Sequence, residues 1–156
     1  MEKNEKTIEV LNDLIRINND RVEGYEKAIK ETKEEDTDLR NVFSSMVDES
    51  RNYKKELVDQ VRRLGGDPAS DTTASGKIYR VWMDMKATFT SKGRQSVLES
   101  CEFGEDAAQK AYEKALEQDS ELPPDIRSVI QTEKASLRSS HDTIKQYRDR
   151  QRQANK

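Results

Sequence analysis

Apolar residues recur in alternating steps of three and four along the first part of the chain. Ile8, Leu11, Ile15, Val22 and Ile29, with Asn18 and Tyr25 between them, share one stripe of a helix predicted over about 7–34. A second stripe, Leu39, Phe43, Met46, Ser50, Tyr53, Leu57, Val61 and Leu64, predicts a helix over about 37–64. Asp36, Thr37 and Asp38 supply oxygens suited to capping its start, and Gly65-Gly66-Asp67-Pro68 ends it. The link between these helices is so short that they must be antiparallel neighbours. A third helix, about 94–118, carries Leu98, Cys101, Glu105, Ala108, Tyr112 and Ala115, a stripe of mainly small or polar residues. After the break Ser120-Glu121-Leu122-Pro123-Pro124, a fourth helix is predicted over about 124–150, with Ile130, Leu137, His141 and Ile144 inward and Tyr147 beside them. It is expected to fray into the basic tail Arg148 to Lys156.

Between the second and third helices lies a crossover, 65–93, long enough to return the chain to the end of the bundle where it began. Within it Ile78, Val81, Trp82, Met85 and Phe89 fall at helical spacing and predict a short amphipathic helix over about 75–89 that packs on the bundle. Two helical hairpins joined by one long crossover make an all-α, four-helix bundle of ferritin-like topology within a single domain, 1–156.

Composition narrows the choice of partner. Charged residues make up 38% of the chain and hydrophobic ones 32%, with only 3 Pro and 6 Gly, a balance suited to long amphipathic helices with wet outer faces. The net charge of -3 comes from 28 basic and 31 acidic residues intermixed along the chain, so no broad field draws it to nucleic acid or an anionic membrane. The sequence shows no apolar run of membrane-spanning length and no hydrophobic signal core after Met1-Glu2-Lys3, so a cytoplasmic location is expected. Cys101 is the only cysteine and reads as a small apolar residue on a helix face.

The inward stripes carry a polar set: Asn18, Tyr25, Ser50, Tyr53, Glu105, Tyr112 and His141. Tyr25-Glu26-Lys27-Ala28-Ile29 recurs 87 positions later as Tyr112-Glu113-Lys114-Ala115-Leu116, and seven residues before each tyrosine stand Asn18 and Glu105. At these positions the chain resembles the ferritin and bacterioferritin superfamily, in which the paired sites hold glutamates and the second and fourth helices each add Glu-x-x-His around two irons. The second helix has Ser50 and Tyr53 on that face, or Glu49 and Asn52 in a shifted register; the fourth has Arg138 three residues before His141. Only Glu105 and His141 match, too few donors to offset two irons, so no cofactor is expected.

A more specific likeness is carried by Ile17-Asn18-Asn19-Asp20-Arg21-Val22-Glu23-Gly24-Tyr25, Ser75-Gly76-Lys77-Ile78-Tyr79-Arg80-Val81-Trp82-Met83-Asp84, Cys101-Glu102-Phe103-Gly104-Glu105-Asp106 and Ser140-His141-Asp142. With these the chain resembles an uncharacterised bacterial branch of the ferritin-like superfamily, a domain of unknown function. That resemblance implies a fold and no established activity. Three accounts of the polar set stay open: a hydrogen-bond network fixing helix register, a single-metal or small-ligand site on Glu105 and His141, or exposure of several members. The expected function is therefore that of a non-enzymatic ferritin-like protein, stress-associated and acting through a dimer or other homo-oligomer or through a protein partner. The alternative is a metal-binding oxidase or iron-handling protein with a reduced site centred on Glu105 and His141.

Overall fold

The stripes become four long α-helices. In the computed structural model, which describes residues 2–73, 82, 91–118 and 122–156, they are α1 Glu2–Lys30, α2 Thr37–Arg63, α3 Ser91–Gln118 and α4 Pro124–Ala154. The short helix expected over 75–89 lies outside the described residues except for Trp82, which is buried. None of the described helices is long and apolar enough to cross a membrane.

Side-chain bonds between helices establish the topology. Arg21 in α1 reaches Ser50 in α2, whereas Arg40, earlier in α2, reaches back to the carbonyl of Ile29, so the two helices run antiparallel. The same ordering relates α3 and α4, where Arg94 bonds Gln151 and Tyr112 bonds Glu133. It also relates α1 to α3 through the Asn18–Tyr112 and Arg21–Glu105 pairs. This is the arrangement of two hairpins joined by one crossover.

Helix ends follow local chemistry with two departures from expectation. Gly65 takes φ +80, and the amides of Gly65 and Gly66 donate to the carbonyls of Arg62 and Val61, a Schellman cap that only an unhindered residue closes without strain. At the start of α2, Asp36 makes no side-chain cap bond, contrary to the expected capping. Asp36 and Asp38 instead face the guanidinium of Arg94 in α3 at 3.2 and 2.6 Å, because a cation is a stronger partner for a carboxylate than a backbone amide. Nor does α4 fray at Arg148. It continues to Ala154, held along α3 by Arg148 on Glu102, by Asn155 on Gln95 and by Arg152 near Glu99.

The crossover begins as a strap along the outer face of α1. Asn12 donates to the carbonyl of Asp67 and accepts from the amide of Ala69, Arg16 binds Asp71, Asn19 donates to the carbonyl of Asp71, and Asp20 accepts from the amide and hydroxyl of Thr73. Burial pushes the Asp20 carboxyl up while the two Thr73 bonds oppose it. The strap covers Asn19 and Asp20, so they are buried along with the inward-facing Asn18 and Arg21, although consecutive helical residues point in different directions.

Farther along, the indole of Trp82 is wedged against the helix backbones at Gly24 and Gly104. A Cβ at either glycine would fall 2.2 or 2.3 Å from an indole carbon, so absence of a side chain is what lets the ring approach. Beneath Trp82 lie Tyr25, its ring 5.5 Å away, and Phe43, 5.8 Å from Tyr25. Two apolar clusters result. One gathers Leu11, Ile15, Leu57, Val61, Ile126 and Ile130; the other gathers Tyr25, Phe43, Met46, Trp82, Leu98 and Ile144. A layer of buried polar residues separates them.

Candidate functional site at the bundle centre

Arg21 defines this layer. Its guanidinium is fully buried and gives its donors to two other helices, α2 and α3. Nε and Nη2 donate to Glu105 Oε1 at 3.1 and 2.6 Å, Nη1 to Ser50 Oγ at 2.8 Å, and Nη2 to Glu49 Oε1 at 3.3 Å. Tyr25 also donates to Glu105 Oε1, and Ser140 of α4 donates to Glu49 at 2.6 Å. The rings of Tyr25 and Tyr53 flank the cation at 5.6 and 6.0 Å. Burial lowers the proton affinity of Arg21, but the charges of Glu105 and Glu49 outweigh it, so the group holds its proton more tightly than usual. Burial, reinforced by the Glu105 charge, pushes the Tyr25 phenol well above its ordinary value and keeps it a neutral donor.

A second, smaller network adjoins the first. Asn18 donates to the Leu14 carbonyl at 2.9 Å and to the Tyr112 hydroxyl at 2.8 Å, and Tyr112 donates to Glu133 at 2.7 Å. The internal repeat thereby acquires a structural meaning. Tyr25 of one copy bonds Glu105 of the other, and Tyr112 of that copy is bonded in return by Asn18. Each tyrosine crosses the α1–α3 interface to the position seven residues before its counterpart.

Six residues of the expected polar set, Asn18, Tyr25, Ser50, Tyr53, Glu105 and Tyr112, are thus buried near one another. His141 is not among them. Its Nε2 lies 2.5 Å from Asp106, at the partly exposed α3–α4 edge, and Glu105 takes Arg21 rather than His141 as its partner. The inward stripe of α4 is Ile126, Ile130, Glu133, Leu137, Ser140 and Ile144. Two of its positions are polar, so the apolar pattern alone allowed Ser140 and His141 to be exchanged. The residues missed were Arg21, Glu133 and Ser140. For α4 a signal was present: Ser50 and Tyr53 shifted by the 87 positions of the repeat fall on Leu137 and Ser140.

These donors bear directly on whether two irons fit. The face that would carry Glu-x-x-His is Ser50 and Tyr53 in α2 and Leu137 and Ser140 in α4. Among the described residues, Glu105 Oε2 and Asn18 Oδ1 receive no donor, yet any cation beside them would stand next to the Arg21 guanidinium.

Glu133 behaves as an acid held neutral. Burial lifts its pKa to about 9, against the Tyr112 hydrogen bond, with nearby Glu56 adding to the rise. A carboxyl raised in the folded state binds protons there that the unfolded chain has released. Stability attributable to this group therefore falls as pH climbs from the ordinary glutamate range, about 4.3, toward 9. Replacing Glu133 by Gln is expected to remove that slope and to raise stability at pH 8 by about 1–3 kcal/mol. Denaturant melts of both proteins from pH 5 to 9 check this; parallel curves would show that Glu133 ionises freely.

Comparison with known proteins agrees with this architecture. Residues 6–118 match the family described as Domain of unknown function (DUF2383). No curated protein matches the chain. A crystal structure described as ferritin like, diiron-carboxylate proteins from Bacillus anthracis str. Ames is similar in fold, with a TM-score of 0.69 over 96% of this chain and 97% of that one, at 18% identity. With most of its length matched by the family and its helices in this order, the chain belongs to the DUF2383 family and has a ferritin-like four-helix fold.

Proposed function

We propose that this is a non-enzymatic ferritin-like protein in which a buried ion pair replaces the metal centre as the element that ties the helices together. The carrying observation is Arg21, a fully buried, permanently charged group bonded to Glu105, Ser50 and Glu49 at the middle of the bundle. Two irons need several carboxylates and imidazoles. Here Glu105 is already neutralised by Arg21, Glu133 is held neutral by burial, and the chain's lone histidine lies at the α3–α4 edge. The different partners of Glu105 and His141, Arg21 and Asp106, favour this reading over a reduced metal site on those two residues. A rigid scaffold of this kind acts through its outer faces, as a cytoplasmic dimer or with a protein partner under stress. Phe103 on α3 offers an exposed apolar contact for that purpose.

Incubation with ferrous iron and oxygen tests the proposal. The protein is expected to oxidise iron no faster than buffer does and to show no absorption from an oxo-bridged iron pair. Two irons per chain together with a ferroxidase rate would overturn it.

A further inference from the structure

We infer that the α3–α4 edge carries a site for one divalent transition-metal ion, with Glu102, Asp106 and His141 as ligands. One ligand atom from each of these residues lies within 4.8 Å of the others. The spacing has a simple origin. Glu102 and Asp106 are four residues apart on α3 and so share a face, and α4 brings His141 against that face from the opposite side. A mixed set of one imidazole and two carboxylates suits zinc, cobalt, manganese or ferrous iron, and it leaves positions open for water.

Features outside the triad favour a ligand role over a surface cluster of charges. His141 Nδ1 is 3.3 Å from the carboxylate of Asp142, the outer support that orients metal-bound imidazoles, while Nε2 points toward the carboxylates of α3. Glu102 and His141 are recessed, with side chains only 14% and 17% exposed, which limits competition from water. Arg148 pairs with Glu102, whereas Asp106 and Asp142 both pair with His141. Arg148 is bonded to Glu102 and also donates through Nε and Nη2 to Asp149, at 3.1 and 2.8 Å. A metal that takes Glu102 thus leaves Arg148 with a partner already in place. The site is independent of the bundle centre, since Glu105 faces Arg21.

Equilibrium dialysis with zinc, and titration with cobalt followed by its visible absorption, test the inference on the full chain. Wild type is expected to retain one ion per chain. His141→Ala and Asp106→Asn should abolish retention, and Asp142→Asn should weaken it by about 10–100-fold. Glu99→Gln, one turn away on α3, should bind as wild type does, which separates a defined site from general attraction to acidic residues. Circular dichroism of each variant confirms that it is folded. Failure of wild type to retain an ion, or equal retention by His141→Ala, would overturn the inference. The outcome is distinct from that for the bundle centre: two ions surviving His141→Ala would count against the metal-free core, whereas no binding at all leaves that reading intact.

Discussion

Methionine in place of Arg21 should destabilise the protein by about 3–5 kcal/mol, the usual cost of stranding one member of a buried charge pair. The Glu105 carboxylate, with no exposure to water, would keep Tyr25 as its one donor among the described residues. Ser50 would lose its side-chain donor from α1, and Glu49 would retain Ser140. The converse change, Glu105→Leu, leaves the guanidinium with Ser50 and the more distant Glu49 and should cost a comparable amount. The double variant is the informative one. Replacing both charges by apolar side chains of similar size removes the unpaired group in each case, so its loss should be far below the sum and could fall to zero or change sign. Urea melts of the four proteins complete the cycle. If the two single changes add, Arg21 and Glu105 do not form the pair on which the metal-free reading of the centre depends.

Trp82 is expected to show the other large effect, with a sign that tests the packing. Alanine is a better helix former than glycine by about 1 kcal/mol, so Gly24→Ala or Gly104→Ala at an open helical site should stabilise. Here the added methyl would lie within 2.5 Å of the indole, and the ring must leave its seat. Each substitution is therefore expected to destabilise by about 1–3 kcal/mol, and Trp82→Ala by about 3–5 kcal/mol. Trp82 is the only tryptophan, so its fluorescence reports the same event: emission should shift to the red in either glycine variant as the indole meets water. A stabilised Gly24→Ala protein with unchanged emission would place Trp82 elsewhere. Because Trp82 also covers Tyr25 and lies against Cys101, its loss should loosen the Tyr25–Glu105 bond and couple this wedge to the central layer.

Periodicity was sufficient for the helices because it depends only on the spacing of apolar groups along one element. The stripes of α1 and α2, the short link between them, the glycine cap at Gly65 and the proline start of α4 were each legible from neighbouring residues, and the length of 65–93 marked a crossover. The repeat singled out Asn18, Tyr25, Glu105 and Tyr112, but their pairing across α1 and α3 came from the structure. Phase was harder where the inward residues are polar. In α4, Glu133 and Ser140 carry no apolar signal, so His141 took the place of Ser140 in the reading.

Arg21 shows why the remainder lay beyond the sequence. The positions Asn18, Arg21 and Tyr25 keep helical spacing as well as Asn18, Val22 and Tyr25 do, and an arginine is ordinarily solvated. Its burial is tolerable only because Glu105, 84 positions away, is delivered to the same point by a different helix. Likewise, Asn19 and Asp20 are buried by a crossover strap, Gly24 and Gly104 are required by one indole, and His141 finds Asp106 across a helix pair. The sequence by itself thus determined the elements and their order, since backbone hydrogen bonds and apolar stripes are local. The tertiary structure decided which charges share a partner, because electrostatic compensation depends on distance in space and not along the chain.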